Sequence, residues 1–343
     1  MLGTQNSYHV QSRPSVFSAI RAVIPQLADA LQYSHAPLDQ QFESQGVRAV
    51  ELDVFADPAG GLYANRAGAR VADGVAASGI PELSQPGFKV FHVQDLDFDS
   101  TCWTFVACLQ TIKSWSDAHP GHLPIMILVE AKDETIPDPL GMGFVLPLRF
   151  DAAEFDALDA EIRSVFPAKR LITPDDVRGG RATLEDAVLH GGWPALDGAR
   201  GKVYFALDNG GPKREAYLAG HPSLKGRVMF TNSRPGQPDA AFVLIDDPVG
   251  NEDRIRGLVA DGYIVGTRAD ADTAEARTGD TTRREAALAS GAQVVSTDYP
   301  VPDAVFGTGY AVSIPGGSPA RCNPVNAPPA CTSVALERPQ AGK

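Results

Sequence analysis

Acidic side chains lie in or at the end of two apolar segments of the sequence, and an amide side chain follows a third. Glu51 and Asp53 lie within the apolar segment 46–54, Glu130 ends a later apolar segment, and Asn6 follows the first. In a strand, Glu51 and Asp53 share one face because side chains alternate, and two acids in an apolar run require a compensating cation. Three carboxylates and one amide form an oxygen-rich set, which suits Ca²⁺ or Mg²⁺.

Three nitrogen-bearing residues follow other strand-like segments and extend this set. Lys132 and Arg268 are suited to hold a phosphate beside a cation, and His92 can pass a proton to or from a leaving oxygen. Zinc is disfavoured because the set contains one histidine and no cysteine. A cation flanked by these residues indicates phosphodiester cleavage, since the cation neutralises the charge that develops on phosphorus. The other polar strand ends are Asp208, Asp298 and Tyr299; the other histidines, expected to be structural, are His9, His35, His119, His122, His190 and His221.

The elements that must position these residues alternate between strand and helix. The strand candidates are 2–6, 47–54, 88–92, 124–130, 202–207, 227–231, 262–267 and 292–297. Alternation predicts a parallel sheet. Eight strands with polar residues at their carboxyl ends predict a TIM-like (β/α)8 barrel. A doubly wound sheet is the alternative, but the first turn lacks the G-x-G-x-x-G pattern that often accompanies it.

Helical periodicity and capping residues predict three of the intervening helices. The pattern covers 15–32, with Pro25 as a kink or break, and 104–118. Asp151 is a candidate N-cap for a helix through Val165. We expect one domain over 1–343, with the barrel at about 2–306 and an irregular tail from 307 that Cys322 and Cys331 pin.

Charge and cysteine content restrict the class of protein. The chain has 343 residues, a formal net charge of -12 and 4 cysteines. Such acidity disfavours nucleic-acid binding, and no apolar run approaches the ~18 residues of a membrane span. Disulfides are favoured over zinc, and we prefer the pairs Cys102–Cys108 and Cys322–Cys331 among the three possible connectivities. We therefore expect a secreted or periplasmic protein. Since a strand-like segment begins at residue 2 and no signal peptide is visible, we expect that this sequence lacks its natural leader.

These residues resemble, in order and spacing, the catalytic barrel of the phosphoinositide-specific phospholipases C, and most closely its calcium-dependent bacterial branch. The segments that carry the resemblance are 3–9, 46–54, 91–92 and 128–130, and those typical of the branch are 34–35, 192–194, 296–300 and 321–324. The resemblance covers nearly the whole chain. It implies a distorted (β/α)8 barrel that holds Ca²⁺ through Asn6, Glu51, Asp53 and Glu130.

The resemblance also implies a reaction. The inositol 2-hydroxyl of phosphatidylinositol attacks phosphorus, which releases diacylglycerol and an inositol cyclic phosphate. His92 assists the phosphate oxygens and the leaving group, while Lys132, Asp208, Arg268 and Tyr299 contact the substrate. A second catalytic histidine precedes the motif's asparagine in the family, but here that position is Gln5. Because glutamine does not titrate, we expect an impaired or inactivated form of an otherwise intact enzyme, or one that uses another base such as His9.

Two other functions remain open on the same residues. One is a glycerophosphodiester phosphodiesterase-like enzyme, and the other is a non-catalytic protein that binds phosphoinositides with calcium. In each lipid-directed case the partner is a membrane surface, and no obligate protein partner is expected. The apolar, Gly- and Pro-containing segment 140–148 is the candidate for membrane contact, because it follows a strand end on the predicted active-site face.

Overall fold

Eight parallel strands close into a barrel. The computed structural model describes residues 1–138, 141–316 and 319–337. Its strands are β1 Leu2–Thr4, β2 Val47–Phe55, β3 Lys89–Val90, β4 Ile125–Ala131, β5 Val203–Leu207, β6 Met229–Asn232, β7 Ala240–Leu244, β8 Ile264–Arg268 and β9 Val294–Thr297. All except β3 form the ring, in the order β1-β9-β8-β7-β6-β5-β4-β2, and β2 pairs with β1 to close it. The predicted TIM-like barrel is confirmed.

Strand β2 is the longest strand and organises the site. All nine of its residues are buried, because its side chains face either the barrel interior or the surrounding helices. In its parallel pairing with β4, Glu51 lies opposite Leu128 and Asp53 opposite Glu130. The register therefore brings acids from two strands to one end of the barrel.

The strand prediction was wrong at two places. Of the predicted third strand, 88–92, only Lys89–Val90 forms a strand, and it pairs antiparallel with the end of β2 outside the ring. His92 therefore lies in a loop and not at a barrel strand end. The eighth barrel strand is β7, which the sequence analysis missed. It follows β6 after only residues 233–239, which leaves no room for a helix, and it begins with two alanines, which have low strand propensity.

Helices surround the barrel. The α-helices are α1 Pro14–Val23, α2 Pro25–Ala30, α3 Leu38–Ser44, α4 Ala67–Asp73, α5 Phe105–Ala118, α6 Ala152–Val165, α7 Pro174–Arg178, α8 Leu184–Leu189, α9 Leu196–Ala199, α10 Gly211–Leu218, α11 Glu252–Asp261, α12 Ala274–Thr278, α13 Thr282–Ser290 and α14 Ser333–Leu336. Short 3-10 helices cover Pro81–Ser84, Ala168–Arg170 and Pro222–Leu224. Pro25 separates α1 from α2, and Asp151 caps α6 by accepting hydrogen bonds from the amides of Ala153 and Glu154. Both predictions are confirmed.

The disulfide prediction is also confirmed. Cys102 is bonded to Cys108, and Cys322 to Cys331. The first bond ties the loop after β3 to helix α5, and the second closes a loop within the tail. The tail reaches the amino-terminal end of the barrel, where the amide of Leu2 donates to the carbonyl of Pro319 at 3.2 Å. No helix in the described part of the chain has the length and apolarity needed to cross a bilayer.

Candidate active site

Three acids from three neighbouring strands converge at the carboxyl end of the barrel. Carboxylate oxygens of Glu51, Glu130 and Asp208 all lie within 4.8 Å of one another. Glu51 belongs to β2 and Glu130 to β4, while Asp208 follows β5 and its amide donates to the carbonyl of Val129 at 2.9 Å. Parallel pairing of the three strands causes this convergence, since it aligns their carboxyl ends. We call Glu51, Glu130 and Asp208 the acid cluster.

Lys132 and Asp53 border the acid cluster. The Lys132 ammonium lies 3.4 Å from Oδ2 of Asp53 and 3.3 Å from Oε1 of Glu130. Burial disfavours the charged ammonium, but the adjacent Asp53 and Glu130 carboxylates more than offset this and raise the pKa of Lys132. Lys132 is therefore a stable cation at the barrel mouth, and it partly neutralises the acids.

Asn6 is held at the same end by the turn that follows β1. Its φ of 44° lies in the left-handed region, which asparagine tolerates better than most residues. The Oγ of Ser7 accepts a hydrogen bond from the amide of Glu51 at 2.8 Å, so this turn is joined to β2. The Tyr8 hydroxyl donates to Asn6 Oδ1 at 3.2 Å, and Asn6 Nδ2 donates to the Tyr33 hydroxyl at 3.0 Å. These contacts orient the amide.

The acids are poorly compensated. Among the described residues, Oε1 of Glu51 and both carboxylate oxygens of Asp53 are buried without a hydrogen-bond partner. Burial, followed by the charges of neighbouring acids, raises the pKa of Glu51 and of Asp53 well above the ordinary range. The same two causes raise the pKa of Asp208 to about 7. Unsatisfied buried oxygens from two acids, with the carboxylates of Glu130 and Asp208 close by, are the kind of donor set that a hard cation such as Ca²⁺ requires, so the residues fit such an ion.

A second polar group joins two histidines through one carboxylate. His92 Nδ1 and His9 Nε2 each lie 2.8 Å from Oδ2 of Asp97, and the Ser12 hydroxyl donates to Oδ1 at 3.0 Å. Burial opposes ionisation of Asp97, but the charge and hydrogen bonds of His9 and His92 lower its pKa. Asp97 therefore stays ionised and fixes the ring of His92. The side chain of His92 is 22% exposed, whereas those of His9 and Asp97 are buried.

The remaining predicted residues occupy different positions. Gln5 lines the barrel interior together with Glu51 and Ser296. Arg268 ends β8, and its Nη2 lies 3.7 Å from Oδ2 of Asp298. Tyr299 is buried against Phe306 and Tyr310, and its hydroxyl donates to the carbonyl of Gln32. The structure therefore brings Gln5 and Arg268 to the barrel interior, and it does not bring Tyr299 to the acid cluster.

Sequence reasoning overlooked the contribution of Asp97 and treated His9 as structural. No strand pattern surrounds Asp97, because it lies in the irregular loop between β3 and α5. The spacing of His92 and Asp97 in one short loop was the available signal, but acids are common in loops. Asp208 was expected to contact substrate, and the structure places it within the acid cluster.

Comparison with known proteins shows which family and which solved structures this chain is similar to. Residues 1–324 match the family model described as phosphoinositide phospholipase C, Ca²⁺-dependent. A search of curated protein sequences found no match. Among solved structures, the calcium-dependent phosphatidylinositol-specific phospholipase C of Streptomyces antibioticus is similar, with a TM-score of 0.51 and 20% identity over 87% of this chain and 93% of that chain.

A second similar structure is the calcium-dependent phosphoinositol-specific phospholipase C from a Gram-negative Pseudomonas species. Its apo form has a TM-score of 0.54 and 17% identity, and the alignment covers 93% of this chain and 92% of that chain. The myoinositol complex from the same source has a TM-score of 0.52 at 18% identity. At these identities the structural likeness supports the barrel fold.

Proposed function

This chain belongs to the calcium-dependent phosphoinositide phospholipase C family, and on that premise we propose that it cleaves phosphatidylinositol in membranes. The products are diacylglycerol and an inositol phosphate that is cyclic when first formed. The observations that carry the proposal are the unsatisfied, buried oxygens of Glu51 and Asp53 and the partly exposed ring of His92, which Asp97 orients. A hard cation and a proton donor on one barrel end are what cleavage of a phosphodiester requires.

In this proposal, Asn6, Glu51, Asp53 and Glu130 hold Ca²⁺, and Asp208 contributes to the same site. Bound Ca²⁺ supplies a positive charge that stabilises the developing negative charge on the phosphate. Lys132 and Arg268 are two cations at this end of the barrel, and they orient the phosphate through its oxygens. Arg268 is well suited to this because its side chain is partly exposed at the barrel end and its guanidinium cannot lose its proton.

His92 is the proposed proton donor to the departing diacylglycerol oxygen. Its Nδ1 is occupied by Asp97, so its Nε2 is the nitrogen that faces substrate. The inositol 2-hydroxyl attacks phosphorus, the bond from phosphorus to the diacylglycerol oxygen breaks, and that oxygen takes a proton from His92. Asp97 stabilises the protonated ring before the transfer, in the manner of a carboxylate that orients a catalytic histidine.

Gln5 makes this chain a slower enzyme than one with histidine at that position. General-base assistance is typically worth about 10²–10⁴-fold, and glutamine has no accessible pKa with which to provide it. The other residues of the motif are present, so we propose impaired catalysis and not complete loss.

A membrane-contacting surface lies beside the mouth in this proposal. Leu146 and Leu148 follow β4 and are 70% and 41% exposed, and Val301 and Val305 follow β9 and are 48% and 60% exposed. Val145, which precedes Leu146, anchors the first loop, because its amide donates to Asp95 at 2.7 Å and its side chain packs with Phe91. Leu140, the first residue of the predicted segment, lies outside the described residues. Exposed aliphatic side chains next to the strand ends suit a lipid surface.

The two disulfides support a secreted or periplasmic location, because such bonds persist in oxidising compartments. The enzyme would then reach its lipid substrate from the outer side of a membrane. The net charge of -12 gives no general attraction to anionic lipid, so apolar contact is the proposed mode of binding.

The experiment that tests the function is release of diacylglycerol from phosphatidylinositol vesicles. We expect slow release with calcium, none with EGTA, and a rate at least about tenfold higher after Gln5→His. Hydrolysis of glycerophosphoinositol without cleavage of phosphatidylinositol would instead favour a glycerophosphodiester phosphodiesterase. Calcium-dependent vesicle binding with no turnover, both in this chain and in its Gln5→His variant, would identify a non-catalytic binding protein.

A further inference from the structure

We propose that Asp298 accepts the proton of the attacking hydroxyl in this chain, in place of the histidine that Gln5 replaces. The proposal rests on the proposed phosphodiesterase function and concerns the one step for which the site lacks an evident group. Three observations support it: the position of Asp298 beside Gln5, its unpaired carboxylate oxygen, and the charges around it.

The pairing of β1 with β9 puts Asp298 next to Gln5. Thr4 lies opposite Thr297 in that register, and the amide of Gln5 donates to the carbonyl of Thr297 at 3.3 Å. Ser296 lines the barrel interior together with Gln5 and Glu51. Asp298 directly follows β9, and its Oδ2 lies 3.7 Å from Nη2 of Arg268, the last residue of β8, so its carboxylate lies at the same carboxyl end of the barrel.

The carboxylate of Asp298 has capacity to accept a proton. The residue is 4% exposed, and its Oδ1 is buried with no hydrogen-bond partner among the described residues. Its Oδ2 lies 3.7 Å from Arg268 Nη2, which is an ion pair and not a short hydrogen bond. A buried acceptor without a donor is costly unless a ligand or water supplies one, so this oxygen is open to a substrate hydroxyl.

The groups around Asp298 bring its pKa close to neutral pH. Burial and the nearby Asp270 carboxylate raise the pKa of Asp298 to about 7, Asp272 acts in the same direction, and Arg268 and His9 act to lower it. Tyr33 also faces Asp298: burial, followed by the charge of Asp298, raises the pKa of the tyrosine hydroxyl. A general base is most effective when its pKa is near the working pH.

The two other candidates for this role are less suitable. His9 is fully buried, and its Nε2 is committed to Asp97. His35 contacts the carbonyl of Gln5 through Nε2 at 2.8 Å, and burial together with the charge of His9 lowers the pKa of His35 to about 3. A histidine with so low a pKa is a weak proton acceptor.

The step balances without an added reagent. The hydroxyl proton moves to the Asp298 carboxylate, directly or through one water, as the hydroxyl oxygen bonds to phosphorus. The bond from phosphorus to the diacylglycerol oxygen breaks, and His92 protonates that oxygen. Asp298 ends protonated and His92 neutral, and exchange with water restores both.

The test is the pH profile of kcat/KM on phosphatidylinositol vesicles, with calcium, for this chain and for Asp298→Asn. We expect the unmodified chain to gain activity with rising pH through an ionisation near 7, and we expect Asp298→Asn to lose about 10²-fold or more together with that rise. Asp298→Glu keeps a carboxylate and retains the rise. Asp303→Asn, an acid in the same segment after β9, leaves the profile unchanged.

The same substitution made in the Gln5→His protein separates a chemical role of Asp298 from a structural one. With Gln5→His present, an imidazole accepts the proton, so Asp298→Asn should then keep the rise of kcat/KM with pH, whatever rate it loses through positioning of that imidazole. Loss of the rise in both backgrounds, or an unchanged rate and profile in Asp298→Asn alone, would overturn the proposal while leaving the phosphodiesterase function intact. Absence of cleavage in every variant, Gln5→His included, would overturn the function itself and the proposal with it.

Discussion

His92 Nδ1 and Asp97 Oδ2 lie 2.8 Å apart, and the same carboxylate oxygen lies 2.8 Å from Nε2 of the buried His9. One acid therefore holds two imidazole rings, of which that of His92 is partly exposed and that of His9 is buried. In the proposed mechanism this arrangement leaves Nε2 of His92 to face substrate, and it makes Asp97 a positioning residue.

Replacement of Asp97 by asparagine should slow catalysis without weakening substrate binding. The amide removes the negative charge that stabilises protonated His92 and can present an N–H to Nδ1, which reverses the tautomer. We expect kcat to fall at least about 100-fold with KM nearly unchanged. Steady-state kinetics on phosphatidylinositol measures both.

The matched control for this change is Asp99→Asn, in the same loop. Asp99 pairs with Arg13 and Arg66 and contacts no histidine in the described structure. We expect it to change kcat little. An equal loss in both variants would mean that the loop, and not the Asp97–His92 contact, determines the rate.

Removal of one acid from the acid cluster should weaken calcium binding. Glu51→Gln and Asp208→Asn each remove a carboxylate, and calcium affinity depends on the number of charged ligands. We expect at least about a tenfold higher Kd for each variant, measured by isothermal titration calorimetry without lipid. Asp247→Asn, whose side chain is 61% exposed, is the control that should bind calcium normally. Unchanged affinity in Asp208→Asn would exclude Asp208 from the site.

His35 should make the fold sensitive to mild acid. Burial and the charge of His9 lower its pKa to about 3, whereas an unfolded histidine titrates near 6.5. Because the unfolded state takes up the proton first, the stabilisation is complete above pH 6.5 and is lost as pH falls towards 3. At pH 5 the loss is about 2 kcal/mol.

Substitution of His35 isolates this effect. In His35→Gln the amide can still donate to the carbonyl of Gln5 but does not titrate. Urea unfolding at pH 7.5 and pH 5 should show a smaller decrease in the free energy of unfolding for this variant than for the parent chain. His190→Gln, whose side chain is 56% exposed, should behave as the parent. Identical decreases in all three proteins would contradict the assignment.

Exposed leucines beside the mouth should contribute to vesicle binding. Leu146→Asn combined with Leu148→Asn removes apolar surface that membrane insertion would bury, worth about 1.5–3 kcal/mol for each leucine fully transferred. We expect at least about a tenfold weaker partition onto phosphatidylinositol vesicles in a sedimentation assay, with calcium affinity unchanged. Leu189→Asn is the control, because Leu189 is also 47% exposed but ends α8, which packs near Gly262 before β8, away from the mouth. Equal weakening by the control would argue against a specific surface.

The sequence by itself determined the barrel and the acids at its mouth. Successive side chains of a strand point to opposite faces, so Glu51 and Asp53 had to share a side, and the carboxyl ends of parallel strands had to meet. Features that depend on only a few neighbouring residues were also predicted correctly. They are the helix break at Pro25, the helix cap at Asp151 and the two short disulfide loops.

Only the tertiary structure decided which loop residues complete the site. Asp97 reaches His92 and His9 because the loop after β3 folds back over the barrel end, and no periodic pattern encodes such a path. The sequence did not predict strand β7 for a similar reason. Its pairing with β6 and β8 stabilises it, and its composition does not indicate a strand. The proximity of Asp298 to Gln5 likewise depends on the closure of β9 against β1, a contact between the two ends of the barrel sequence.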